Sequence, residues 1–571
     1  MSLTAAEETA LDDAIADVTA GAARWAALTP AERADVLTAT HRSIGSVAEA
    51  WVAAACRAKG IDPEAAIAAE EWMSGPFAVL FAAKAFADTL RRIDRTGSSV
   101  PPGRFGTAPG DGEDEDSGDR VTVRVLPTGL QQRLMFHGFR AEVWMPPGVD
   151  AAEVPERAGR AARDHRSGGV GLVLGAGNIT AIGPLDVFTE LVSANRTVVL
   201  KLNPTLDGLL PVYEEALRPL LVLGVLRIVR GAGDVGTYLV DHPGIAHVHV
   251  TGSGATHDAI VWGVGEDAER RRIAGGPRLR KPITSELGGV SPVIVVPGDW
   301  SAADLRFQAE HVATMRLHNA GHNCIAAQTL ILSADWAQKD AFLDELRAVL
   351  RELPARAPWY PGTAGRLERA RERHPEAEDL GGRLLIQSPP GDESLDFEYF
   401  GPVLGVTELA GVGAAFLHDA VDFANEELAG TLGANLLIDP RTRRALGGDF
   451  AAELARLRYG TIAVNAWTSV GFSFPGATWG AFPGHDLADV GSGIGVVHNA
   501  FLLDWPERTV VTGPFRPFPR SVLGGEWSLF PKPPWFLTAR SALETGRRLT
   551  VYAARPGWGR LLATLLTAFR A

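Results

Sequence analysis

The sequence predicts an α/β protein: a Rossmann-type parallel sheet covered on both faces, followed by a second α/β unit. Three observations carry this. Between residues 170 and 250, short wholly apolar strands alternate with helical stretches, the pattern of parallel strands buried on both sides. The ends of those strands carry Asn178, Lys201, the turn Gly231-Ala-Gly-Asp-Val-Gly236 and Thr251-Gly-Ser253, and parallel sheets bind ligands at the carboxyl ends of their strands. A second set of apolar strands follows, clearest at Val293-Ile-Val-Val296 and Thr329-Leu-Ile-Leu332.

Residues 1–98 read as Ala-rich and helical. Thr29-Pro30-Ala31-Glu32 makes a helix start: Thr caps, Pro occupies the first turn and Glu reaches back. Residues 101–119 break the pattern and end in Gly110-Asp-Gly-Glu-Asp-Glu-Asp-Ser-Gly-Asp119. Such a carboxylate run repels itself and is expected to be a solvated loop. Val121-Thr-Val-Arg-Val125 alternates like a strand. Strands are expected at residues 170–175, 196–201, 225–229 and 247–250, with helices at 184–194, 209–223 and 237–241. The expected division is a helical region and acidic loop over 1–119, a dinucleotide-binding domain over 120–288 and a catalytic domain over 289–465. Residues 466–571 then hold a return loop, an oligomerisation strand and a C-terminal extension.

Bulk composition narrows the function. The 571 residues are 46% hydrophobic and 22% charged, ordinary for a globular protein. A net charge of -13 argues against nucleic acid, whose phosphates need clustered Lys and Arg. Two cysteines cannot build a disulfide framework or a structural zinc site, so a reducing cytoplasm and no metal are expected. The first residues are acidic and no apolar run reaches ~18 residues, so neither a signal peptide nor a membrane span is expected.

One of the cysteines stands in Asn319-Ala-Gly-His-Asn-Cys324-Ile-Ala-Ala-Gln328, downstream of a carboxylate in Ser285-Glu286-Leu-Gly-Gly289. A thiol on a Gly/Asn/His loop, with a carboxylate beside a Gly-Gly turn, points to covalent catalysis at a carbonyl. The thiolate attacks carbon, and the carboxylate activates water to clear the acyl-enzyme.

These elements, in this order, resemble the aldehyde dehydrogenase superfamily over roughly residues 20–485. The stretch from Gly231 through His242-Pro to Thr251-Gly-Ser253 is similar to the family's glycine turn, His-Pro corner and Thr-Gly-Ser strand end. Glu286-Leu-Gly-Gly289, Gly321-His-Asn-Cys324 and Glu398-Tyr-Phe-Gly-Pro-Val403 resemble its remaining motifs. The resemblance implies NAD or NADP as cofactor and a small-molecule aldehyde as substrate. Cys324 is then the nucleophile, forming a thiohemiacetal and then a thioester. Asn178 and the Cys324 backbone N–H hold the oxyanion, and Glu286 is the general base. Lys201 binds the adenosine ribose, Ser253 lies near the pyrophosphate and Glu398 holds the nicotinamide ribose. Gly231, Gly236, Thr251, Gly252, Leu287 and Phe400 complete the implied cofactor site. Without the resemblance, Asn178 reads as a helix cap, Lys201 as a solvated strand end and Glu398 as a loop acid.

Several departures matter. Asn178 follows Gly-Ala-Gly where many members carry Pro-Trp, and Pro204 stands where NAD-preferring members carry Glu, so NADP use stays open. A basic insertion, Arg270-Arg-Arg272 and Arg278-Leu-Arg-Lys281, reads as a solvated loop or as a phosphate contact. Gly-Ala-Gly-Asn178, Asn203-Pro204 and Cys324-Ile-Ala also resemble CoA-acylating dehydrogenases, although Glu286 favours hydrolysis. A third reading is a catalytically silent binding or assembly protein. Trp467, Phe472, Phe474 and Trp479 predict a hydrophobic aldehyde, or else pack a domain junction. The resemblance implies a homo-oligomer, dimer or tetramer, with Arg508-Thr-Val-Val511 as the strand that joins a neighbour's sheet. Trp558, Leu561, Leu562, Leu565, Leu566 and Phe569 share one helical face, expected to dock on the body or a partner subunit ahead of a membrane.

Overall fold

The computed structural model describes residues 3–110, 118–164 and 166–571; most of the acidic run (111–117) lies outside the described residues. The smaller sheet has six strands: Gly493–Ile494, Ile283–Leu287, His247–Gly252, Val170–Leu174, Thr197–Lys201 and Leu226–Val229, in that order. The last five are parallel to one another. Period-2 alternation sends each strand's side chains to both faces. Leu172, Val199 and Val248 pack with Leu11, Ile15 and Val18 of the helix Ala5–Ala27. Val173, Val198 and Leu200 pack with Leu185 and Phe188 of the helix Ile182–Ser193. The Thr29 start is a complete capping box. The stretch expected as one helix over 209–223 is broken into Leu210–Ala216 and Arg218–Leu223, because Pro219 supplies no N–H to continue the ladder.

The larger sheet has eleven strands. Its parallel centre includes Gly433–Leu437, Ser291–Val295, Ala327–Ser333 and Val403–Leu409. It also takes the strand Arg120–Leu126, which corrects the expected boundary at residue 120. That strand and Arg140–Trp144 form an antiparallel extension of the larger sheet and have no place in the smaller one. Alternation identified the strand but could not say which edge it joins. A buried cluster fixes the choice: Glu507 pairs with Arg120 at 3.1 Å and Arg508 at 3.0 Å.

The strand Arg508–Thr512 is likewise used within its own chain. It pairs parallel with Thr461–Val464 and antiparallel with Arg140–Trp144. Both its edges are therefore occupied, so it does not serve as the expected bridge to a neighbour's sheet.

The C-terminal extension is fastened along the helix Ala302–Leu317. Gln308 donates to the Phe515 carbonyl at 2.7 Å, Arg516 and Arg520 grip Asp304, and Lys532 pairs with Glu310 at 2.7 Å. In the last helix, Trp558–Ala568, Leu561 is buried and Leu565 packs on the core, while Trp558, Leu562, Leu566 and Phe569 face outward. The six apolar residues are thus divided between body and solvent, not docked as one face. Among the described residues, no helix is long and apolar enough to cross a membrane.

Candidate active site

Cys324 stands where two cavities meet. One is a cleft of about 590 Å³ over the carboxyl ends of the smaller sheet, and the other an apolar cavity of about 100 Å³. Cys324, Asn178 and Ile182 line both.

The cysteine loop is tightly wound. Asn319, Ala320 and Gly321 all have positive φ, at 54°, 56° and 81°. For Ala320 that costs ~1–2 kcal/mol, strain of the kind found at functional sites. Gly321 is required for space as well, since a Cβ there would lie 2.8 Å from the Gly401 carbonyl. The loop is held from behind. Asn319 Nδ2 donates to the carbonyls of Asn178 (3.1 Å) and His322 (2.9 Å), and its Oδ1 accepts from Lys59 Nζ at 3.0 Å. Lys59 in turn pairs at 2.7 Å with Glu71, both fully buried. Burial pushes Glu70 up, but Arg356, His318 and Lys59 outweigh it and hold that carboxyl low; it accepts from the Asn319 N–H at 3.1 Å.

Asn178 does not cap the following helix, whose N-cap is Ala181. Its Nδ2 donates one hydrogen to the His322 carbonyl at 2.9 Å. An amide nitrogen carries a second hydrogen, and Asn178 lines both cavities. The departures around Asn178 form one unit. A Cβ on Gly177 would lie 2.6 Å from Asn203 Cγ, and Thr205 Oγ1 donates to the Gly177 carbonyl at 2.7 Å.

Glu286 lies near the end of strand Ile283–Leu287, buried, facing the Cys324 thiol and the Trp479 indole. Among the described residues its Oε1 has no hydrogen-bond partner. Burial pushes its carboxyl up to about 7, with Asp186 adding to the rise and His249 opposing it. Burial and the Glu286 charge raise the Cys324 thiol well above its ordinary range. The pair therefore favours a thiol beside a basic carboxylate, which can take the thiol proton as sulfur attacks. Behind Glu286 lies a buried polar chain. Burial lowers His249, but Asp186, Glu190 and Glu286 together outweigh it and leave the imidazole raised, and Thr251 Oγ1 donates to Asp186 at 3.2 Å.

The larger cleft is lined by Lys201, Gly236, Thr251, Gly252, Ser253, Glu398 and Phe400, seven of the nine residues predicted for the cofactor. Lys201 ends its strand and burial lowers its amine. Ser253 caps the helix Gly254–Val261, accepting from Thr256 N at 3.2 Å, so the helix N-terminus opens on the cleft. Burial drives Glu398 up to about 8, against Arg316 and Arg366. Any side chain on Gly288 would collide with the Glu398 carboxylate, which explains the first glycine of Leu-Gly-Gly. The other two predicted residues stand back from the cleft. Gly231, at φ 139°, forms a turn against Val235, and the Leu287 side chain is buried while Gly288 lines the wall. The basic insertion divides: Glu266–Ile273 is an exposed helix with local ion pairs, whereas Arg278 lines the cleft.

Sequence reasoning missed Tyr360 and Arg366 in the cleft wall, the Lys59–Glu71–Asn319 support, and Met73 and Trp535 in the apolar cavity. Of these only Asn319, inside the cysteine motif, had a local signal. The expected aromatic loop does form this cavity: Trp467, Phe472, Phe474 and Trp479 all line it.

Comparison with known proteins agrees with this geometry. Residues 169–365 match the family model described as "Aldehyde dehydrogenase family". N-succinylglutamate 5-semialdehyde dehydrogenase of Hahella chejuensis is 30% identical over 323 residues, which are 52% of this chain and 60% of that relative's length. The Mycobacterium tuberculosis aldehyde dehydrogenase complexed with NAD+ has a similar fold, with TM-score 0.57 and 18% identity over 87% of this chain and 91% of that one. The NADP-dependent glyceraldehyde-3-phosphate dehydrogenase of Bacillus halodurans C-125, complexed with NADP, gives 0.57 and 19% over 90% and 92%. The resemblance seen in the sequence is borne out: the chain has the aldehyde dehydrogenase fold, and its central third carries the family's sequence pattern.

Proposed function

We propose that this protein oxidises an aldehyde with an apolar side chain to the carboxylic acid, using NAD or NADP. The observation that carries the proposal is the position of Cys324 where a large cleft over the strand ends meets an apolar cavity, with Glu286 facing its thiol. The aldehyde's side chain lies among Phe472, Phe474 and Trp479, with its carbonyl carbon at Cys324. As sulfur attacks, Glu286 accepts the thiol proton, and the second N–H of Asn178 meets the developing oxyanion. The dinucleotide supplies the two-electron acceptor. Glu286 releases the thiol proton to solvent; the carboxylate then takes a proton from a water molecule as that water attacks the Cys324 thioester, and it returns the proton to the departing sulfur, freeing the carboxylic acid and regenerating the thiol.

The cleft residues fit a dinucleotide. Lys201 would hold the adenosine ribose, the Ser253 helix terminus the pyrophosphate, and Glu398 the nicotinamide ribose. Pro204 supplies no carboxylate to repel a 2′-phosphate, and Arg278 lines the cleft, so both cofactors are proposed. A cytoplasmic setting suits a free thiol nucleophile. Self-association as a dimer or tetramer must use a surface other than Arg508–Thr512, and the outward Trp558, Leu562, Leu566 and Phe569 offer one; light scattering measures it.

The test is NAD(P)H formation with a panel of aliphatic and aromatic aldehydes, with and without CoA, alongside Cys324→Ala. Turnover without CoA that vanishes in the variant is expected. Turnover only with CoA would replace hydrolysis with acyl transfer. No turnover and no dinucleotide binding would make the chain a silent binding protein.

A further inference from the structure

The apolar cavity ends on the C-terminal extension. Its wall includes Trp535 and Leu549 from that extension, together with Met73 and Phe77 of the N-terminal helices. Met73 and Trp535 also line a second cavity, of about 360 Å³, whose wall joins apolar residues such as Leu317, Leu353 and Leu537 to the charged Glu70, Arg356 and Arg383. Cys324 and Asn178 line the first cavity but not the second. Met73 and Trp535 therefore form a partition, with the thiol on one side and a larger space on the other.

The sizes make that partition decisive. The space on the thiol side, about 100 Å³, is smaller than the ~150 Å³ that holds one benzene ring in an engineered protein core. It takes a short chain and leaves no room for a long one. Trp535 is also held in place. It follows Pro533-Pro534, and the next residue, Phe536, is buried and stacked on Phe307 (5.1 Å) and His311 (4.9 Å). Leu537 N–H then donates to Thr314 Oγ1 at 3.2 Å. The Trp535 indole meets Phe139 and Phe530 at 6.1 and 5.9 Å. Its N–H has no hydrogen-bond partner among the described residues, so replacing the ring orphans no polar group.

We propose that Trp535 is the specificity-determining residue that sets the length of the substrate's apolar chain, with Met73 as the other half of the partition. The C-terminal extension thereby measures the substrate, and the wild-type protein prefers short aliphatic aldehydes. This rests on the aldehyde reading above.

The test compares kcat/KM for n-alkanals from butanal to dodecanal in wild type, Trp535→Ala, Trp535→Leu and Met73→Ala. Binding of n-butanamide and n-decanamide to the same proteins is measured by calorimetry. Wild type is expected to fall off with chain length. Trp535→Ala is expected to raise the decanal-to-butanal ratio at least about tenfold, and Met73→Ala to move it the same way. Trp535→Leu and Met73→Ala carry the test if Trp535→Ala does not fold. An unchanged ratio in folded variants, or a wild type already indifferent to length, would overturn the proposal. If no protein oxidises any alkanal, the aldehyde reading fails on its own. The amides still decide the partition: decanamide binding about tenfold tighter in the variants supports it, and unchanged binding rejects it.

Discussion

The two cavities that meet at Cys324 are built in different ways. The cleft at the cofactor side comes mostly from the ends of the smaller sheet's strands: Lys201 ends one, Thr251 and Gly252 another, and Glu286 lies near the end of a third. The apolar cavity is assembled from Met73, Phe136, Trp467, Trp535 and Leu549, which the chain brings together from its whole length. A site at strand ends is fixed as soon as the sheet forms, whereas a wall drawn from five regions depends on how every layer packs. The first suits chemistry that many substrates share, and the second suits a choice among substrates.

Substitutions can break or sharpen that contrast. The largest effect is expected from Glu286→Gln, which removes the base while leaving both cavities. Steady-state turnover is expected to fall ~10²–10⁴-fold, with dinucleotide affinity nearly unchanged by calorimetry. Asn178→Ala, at the junction, is expected to lower kcat by ~10²–10³ with smaller changes in either KM. Lys201→Ala and Phe472→Ala should separate the two sides. Kinetics varying each substrate in turn are expected to show about a tenfold rise in the dinucleotide KM for the first. The second should raise the aldehyde KM alone.

The smallest effect concerns pH. Glu286 must be ionised to act, and burial holds its carboxyl near 7, so kcat for thioester hydrolysis is expected to rise through about pH 7. Asp186→Asn removes a charge that raises Glu286 and is expected to shift the midpoint down. Stability moves the opposite way. A carboxyl raised above 4.5 costs stability as pH rises from there through about 7. Glu286→Gln is therefore expected to be more stable than wild type at pH 8, by roughly 3 kcal/mol at most, with the difference nearly gone at pH 4.5. Thermal melts at the two pH values measure it.

The same contrast explains what the sequence could and could not tell. Cys324, Glu286, Asn178 and Lys201 were legible because each sits in a turn or strand end whose glycines and polar residues leave a local pattern. Arg120–Leu126 was legible as a strand, but its sheet was not, since the Arg120–Glu507 pair that fixes it spans most of the chain. Lys59 and Glu71 read as ordinary helical charges, and only packing against Asn319 makes them a support for the cysteine loop. Trp535 had no signal at all, because a lone Trp after two prolines has no period to betray which cavity it enters.

The central claim is that Cys324 carries an acyl group that Glu286 clears with water. Intact-mass analysis of Glu286→Gln after mixing with a short alkanal and NAD or NADP tests it most directly. The account predicts an acyl adduct on Cys324 that persists for many wild-type turnover times without CoA. An adduct that clears as fast as in wild type would contradict it.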